Sequence, residues 1–249
     1  MCRHANIAIF ANGANGNVPP SRRIRGRNTG LDGCPGGIAL DTNDNIYVVT
    51  GAGPGLTGHV LVFGARAAGN AAPIRDISGS NTGLNQPFGI AVDASGEICV
   101  ANDSEFASTE SITVYAVGAN GNVAPIRTIA GANTALFDPT SVAVDSQGDA
   151  YVSNIGSYNY SIPPSVTVYA ANANGNAAPI RTIAGSNTSL GLPWGLTLDA
   201  AANIYVSNAT DPSASVTVYP AGSSGNVSPV STITGSQTGL DYPRGIAVH

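Results

Sequence analysis

Apolar positions along this chain come in short runs of three to five residues, never in the wide stripes of amphipathic helices. Four kinds of run recur in fixed order. The first is Gly-Ile-Ala-Val-Asp (Gly89–Asp93, matched at Gly37–Asp41, Ser141–Asp145 and Gly195–Asp199). The second is Ile-Tyr-Val (Ile46–Val48, Ile98–Val100, Ala150–Val152, Ile204–Val206). The third is Val-Thr-Val-Tyr (Ile7–Phe10, Val60–Phe63, Ile112–Tyr115, Val166–Tyr169, Val216–Tyr219). The fourth is Pro-Ile-Arg-Thr-Ile (Pro20–Ile24, Pro73–Ile77, Pro125–Ile129, Pro179–Ile183, Pro229–Ile233). Gly-Asn marks at Gly16, Gly69, Gly121, Gly175 and Gly225, spaced 53, 52, 54 and 50 residues apart, give the period.

Four short strands in a unit of about 50 residues, repeated around five times, predict an all-β propeller of five blades. Each blade is a four-stranded antiparallel sheet, and residues 1–249 form a single domain. Blade repeats start near Pro35, Pro87, Pro139, Pro193 and Pro243. Burial of both faces between neighbouring blades accounts for strands that are apolar throughout. Pro at the head of the fourth run fits an outer edge, where a missing N–H is harmless. Only four clear second strands exist, so the last blade is either incomplete or composed of both chain ends. In the second case Gly245–Val248 would join Ile7–Phe10 and Pro20–Ile24, with Met1–His4 as a minimal second strand.

Spacing separates scaffold from variation. Each blade Pro precedes the Val that ends the second strand by 13 residues, in all four copies. The gaps from second to third strand are 12, 12, 14 and 10 residues. These variable loops are Thr50–Gly58, Asn102–Glu110, Asn154–Pro164 and Asn208–Ala214. A uniform frame with variable loops on one face is how binding surfaces are usually built.

Charge narrows the partners. The chain has no lysine, ten Arg, fifteen Asp plus Glu, and a net charge of −5. Nucleic acid and anionic membrane surfaces need a basic footprint that is missing here. No run has the roughly 18 apolar residues of a membrane span. Low charge with polar, uncharged loops fits an extracellular or cell-envelope setting, although Met1–Phe10 does not read as a signal peptide. Cys2, Cys34 and Cys99 form no CxxC pair and no disulfide framework. Cys99 stands where other blades have Tyr47, Tyr151 and Tyr205, and reads as a packed small hydrophobe.

The copies Gln-Pro-Phe-Gly-Ile-Ala-Val-Asp-Ala-Ser-Gly-Glu-Ile-Cys-Val-Ala-Asn and Leu-Pro-Trp-Gly-Leu-Thr-Leu-Asp-Ala-Ala-Ala-Asn-Ile-Tyr-Val-Ser-Asn resemble NHL repeats. More broadly they are similar to the propeller group that includes gluconolactonase-like, calcium-dependent lactonases. The resemblance covers the first two strands of each blade and implies fold rather than function. It departs after the second strand, where the usual Asn-x-Arg is replaced by Glu110-Ser111 or Ala214-Ser215.

Candidate chemistry is sparse. The column Asp41, Asp93, Asp145 and Asp199 would suit Ca²⁺ as a ring of carboxylates. Its recurrence in every blade, with Asp44, Gly96, Gly148 or Ala202 three residues on, reads instead as turn chemistry. No cofactor is therefore expected. His4, His59 and His249 occupy unrelated blade positions, and the loop acids Asp103, Glu105, Glu110 and Asp211 come from only two loops. Aromatics carry more. Phe88 and Trp194 follow the blade Pro at the channel mouth, Tyr158 and Tyr160 sit in the longest variable loop, and Phe106 in the one before it. With Asn154 and Asn208 beside them, they form the expected ligand surface for a glycan or protein. The competing reading has Phe88 and Trp194 merely plugging the centre. The expected function is a binding or structural module. The alternatives are a metal-dependent lactonase or lyase, and a subunit that self-associates by strand addition at its incomplete blade.

Overall fold

β-Branched and aromatic runs bounded by Gly, Asn and Asp turns fold into eighteen short strands in the computed structural model, which describes residues 5–31, 33–51, 58–103, 109–157, 161–210 and 213–248. Sixteen of them make four antiparallel four-stranded sheets. Blade 1 is β3 (Pro35–Leu40), β4 (Ile46–Thr50), β5 (His59–Phe63) and β6 (Arg75–Ser78). Blade 2 is β7 (Pro87–Val92), β8 (Ile98–Asn102), β9 (Ser111–Tyr115) and β10 (Arg127–Ala130). Blade 3 is β11 (Pro139–Val144), β12 (Ala150–Asn154), β13 (Ser165–Tyr169) and β14 (Arg181–Ala184). Blade 4 is β15 (Pro193–Leu198), β16 (Ile204–Asn208), β17 (Ser215–Tyr219) and β18 (Ser231–Thr234). The strands of each blade pair in sequence order, with the first strand innermost.

The core lies between blades. Tyr47, Val49, Val60, Val62 and Ile77 of blade 1 meet Ile90, Ile98, Val100 and Tyr115 of blade 2. The pattern repeats between blades 2 and 3, and between 3 and 4. Middle strands such as β8, β9, β12 and β13 are consequently buried at every position.

Polar staples fix the blade-to-blade angle. At each junction an outer-strand Ile makes a parallel bridge to the next blade's Gly: Ile77 to Gly121, Ile129 to Gly175, Ile183 to Gly225. The Asn after that Gly accepts a backbone N–H from the preceding blade, as Asn176 Oδ1 does from Asn133 at 2.7 Å. Gly131 must be glycine there: its φ is +124°, and a Cβ would sit 2.6 Å from Asn176 Oδ1. The Gly-Asn marks are therefore inter-blade staples, and Asn81, Asn133 and Asn187 contribute their backbone N–H rather than their side chains. The Asp column is turn chemistry as expected: Asp41, Asp93, Asp145 and Asp199 each accept two N–H groups from their own turn.

Two expectations need correction. The fold has four four-stranded blades, not five. A fifth sheet contains only β1 (Ile7–Ile9) and β2 (Arg22–Ile24), packed on blade 1 through Ile24 and its bridge to Gly69. Residues 243–248 form no strand and make no ladder with β1, although Arg244 and Ile246 lie against Gly195 of β15. The two ends are each held by a different blade. Gly37, Gly89 and Gly195 are crowded by the next inner segment, whereas nothing lies within 4 Å of a Cβ built on Gly245. The expected second strand Met1–His4 lies outside the described residues. Cys34 is disulfide-bonded, a single pairing that the absence of a CxxC pair or disulfide framework did not point to, and its partner lies outside the described residues. Cys99 is a free buried thiol, as its alignment with the tyrosines suggested.

Candidate ligand site at the channel mouth

The four inner strands and residues 244–247 surround a central cavity of about 790 Å³. Its wall is mostly backbone, Ala, Val, Ile and Leu, so its chemistry is concentrated at one end. That end is set by a repeated irregularity at the head of each inner strand. Pro87 faces Asn102 and Gly89 faces Ala101, leaving Phe88 as an extra residue in the ladder. Thr140 and Trp194 are the extra residues of blades 3 and 4 in the same way. The residue before each blade Pro has left-handed φ: Gln86 at 46°, Asp138 at 48°, Leu192 at 47°. This corner and the bulge re-aim one side chain per blade. In sequence five positions follow a blade Pro, occupied by Gly36, Phe88, Thr140, Trp194 and Arg244, the last of them outside any ladder.

The structure brings three of them into a contact series. Phe88 and Trp194 meet edge to face, with ring centroids 5.8 Å apart and planes at 62°. They reach each other across blade 3 because that blade contributes the small Thr140. The Thr140 hydroxyl is turned away to donate to the Pro193 carbonyl at 2.8 Å. The Arg244 guanidinium lies 4.5 Å from the Trp194 ring centroid, within cation–π range. Both aromatics are half-buried, and Arg244 is exposed.

Other expected site residues fare differently. Asn154 and Asn208 are each 1 % exposed and fully occupied inside their own blades. Asn154 Oδ1 accepts the Phe137 N–H, and its Nδ2 donates to Val152 O, Ser165 Oγ and Thr167 Oγ1. Asn208 repeats this with Gly191, Val206 and Thr217. Their hydrogen bonds hold the roots of the variable loops. Phe106, Tyr158 and Tyr160 lie outside the described residues. Arg244 was missed by the sequence reading, although its place after Pro243 matches that of Phe88 and Trp194.

The described residues offer little for covalent chemistry. Burial pushes the Cys99 thiol up to about 12, so it is no nucleophile at neutral pH. No group of three or more His, Cys, Asp or Glu among the described residues is placed to hold a metal ion. No helix among them is long and apolar enough to cross a membrane.

No known protein family and no curated protein matches the chain. Its fold does match solved structures. The PQQ-bound aldose sugar dehydrogenase of Streptomyces coelicolor superposes with a TM-score of 0.56 at 16 % identity, over all of this chain and 76 % of that one. The fold is that of a β-propeller. The Cps50 (Swd1) β-propeller domain of Myceliophteria thermophila gives 0.48 at 9 % identity, over 87 % of this chain and 61 % of its own. A gluconolactonase from Xanthomonas campestris gives 0.40 at 17 % identity, over 80 % and 77 %. The chain spans about three fifths of the Swd1 domain and of a eukaryotic initiation factor that it also matches. At these identities the likeness concerns architecture alone.

Proposed function

We propose that this propeller is an extracytoplasmic, NHL-like binding module that holds a glycan at the channel mouth. The observation that carries this reading is the Phe88–Trp194 pair, two half-exposed rings aimed by bulges over a cavity of about 790 Å³. Sugar faces stack on aromatic rings, and a rigid scaffold keeps the ordering cost of binding low. The disulfide at Cys34 supports an oxidising compartment.

A glycan-array screen of the wild-type chain against Trp194→Ala and Phe88→Ala tests it. The expected result is binding by wild type and a loss of roughly ten-fold or more in either variant, since central aromatic anchors contribute about 2 kcal/mol each. Wild-type binding that both variants retain in full would remove the mouth as the site.

A second reading, a subunit that self-associates, is favoured by one observation. Ile233 on the outer strand of blade 4 is 53 % exposed, although its equivalents Ile77 and Ile183 are fully buried against a neighbouring blade. A further copy could cover that face with the exposed Phe10 side of its own β1–β2 pair.

A further inference from the structure

We infer that the ligand at the channel mouth carries a carboxylate, which Arg244 receives while an apolar ring face lies on Phe88 and Trp194. This rests on the mouth being the binding site and adds the charge of the ligand. The first ground is the charge of the cavity wall. Among its 25 described lining residues Arg244 is the one charged side chain, the remaining polar ones being Thr140, Ser141 and Thr197. The hydroxyls of Thr140 and Ser141 are already bonded to neighbouring inner strands.

The second ground is the state of Arg244 itself. It makes no ion pair among the described residues, unlike Arg127, which pairs with Glu97 at 2.8 Å. The arginines at a different place, the heads of the outer strands, are all engaged: Arg22 with the Ala65 and Ala67 carbonyls, Arg75 with Tyr47, Arg127 with Glu97 and Arg181 with Tyr151. Stacking on an indole face leaves the in-plane N–H edge of a guanidinium open to a bidentate acceptor. Trp194 thus positions Arg244 without neutralising it.

The third ground is the placing of the acids. No carboxylate is among the described lining residues: Asp138, which precedes Pro139 at the mouth end, lies outside that lining, and the turn acids Asp93, Asp145 and Asp199 follow the opposite ends of the inner strands. Five residues of extended chain separate Phe88 from Asp93, or roughly 17 Å. All three are bonded to their own turns. The chain as a whole carries −5 and repels anions, so an unpaired cation at the mouth is a local device rather than part of a basic surface.

Trp194 is the sole tryptophan, so its emission reports on the mouth directly. The test titrates the full chain with trigalacturonate, its neutral counterpart galactotriose, and benzoate, reading fluorescence and confirming by calorimetry. Trigalacturonate is expected to bind about ten- to a hundred-fold tighter than galactotriose, the range of a charge-assisted contact. Arg244→Gln should bring the two sugars level, and Arg244→Lys should keep part of the preference. Arg244 is exposed and unpaired, so neither change threatens the fold. Binding of benzoate alone would keep the carboxylate and replace the sugar. Equal binding of both trisaccharides, lost in Trp194→Ala but untouched in Arg244→Gln, would overturn the carboxylate inference and leave the mouth intact as a site. No binding by any probe would overturn both.

Discussion

β13 and β17 have the same five residues, Ser-Val-Thr-Val-Tyr, and the same register with their neighbours, yet they live in different surroundings. In blade 3, Val166 and Val168 are fully buried, as are Tyr151 at 1 % and Ile183 at 0 % exposure. In blade 4 the equivalents Val216, Val218 and Tyr205 are half-exposed, and all of β18 is exposed. Identical sequence makes identical strands; the next blade makes them a core. Stability here comes from stacking neighbours as much as from any sheet alone.

Truncation at the two equivalent isoleucines should break that symmetry most visibly. Ile183→Ala is expected to cost about 2–5 kcal/mol by leaving a cavity between blades 3 and 4. Ile233→Ala should stay within about 0.5 kcal/mol, because nothing covers that side chain. Denaturant unfolding of both variants measures the contrast, with sedimentation velocity run over a concentration series. Equal losses, together with a mass that rises with concentration, would show that a second copy covers blade 4 in solution.

The staples give a smaller version of the same contrast. Asn226 Oδ1 accepts the Asn187 N–H at 2.7 Å, so Asn226→Ala should cost about 1 kcal/mol. Asn17, the matching residue of the β1–β2 pair, is exposed, and its replacement by Ala should leave the midpoint unchanged. A comparable loss at Asn17 would reveal a partner for it.

The smallest expected effect concerns acid. A side-chain hydrogen bond from Asn203 is the chief cause that holds Asp199 below its ordinary 3.8, helped by the Asn203 and Ala201 backbone N–H groups and the Tyr205 hydroxyl. A carboxyl lowered on folding contributes stability in full above its unfolded value, and loses it as pH falls through the folded one. Melting temperature should therefore decline below about pH 4, and Asp199→Asn should flatten that decline while lowering the plateau above it. An unchanged acid limb in the variant would assign the sensitivity to the other blades' turns.

The sequence made strands, turns and blade period readable because each is set within about 50 residues, and the repeats reported each one several times. The number of blades was not, since closure depends on two chain ends that local pattern does not place: β1 and β2 sit on blade 1, and Arg244 and Ile246 on blade 4. Phe88 and Trp194 stood out as variable residues inside an otherwise constant segment. Arg244 carried the same signal but was hidden in the last, shortest copy. Asn154 and Asn208 were misjudged for the opposite reason. A polar residue present at one position in three blades, Asn102 included, belongs to the frame, by the rule that assigned the Asp column to its turns.

The bulges at the strand heads have a consequence for how such a mouth could be altered. A residue with no partner across the ladder can be exchanged without disturbing pairing, register or the staples between blades. Phe88 and Trp194 are in that position, whereas Thr140 is tied to the Pro193 carbonyl and a Cβ on Gly36 would sit 2.8 Å from Phe88 O. At the Phe88 and Trp194 positions the channel mouth is in effect a pair of interchangeable sockets on a fixed hub. The side chains presented there can be changed in blades 2 and 4 while the hub stays as it is.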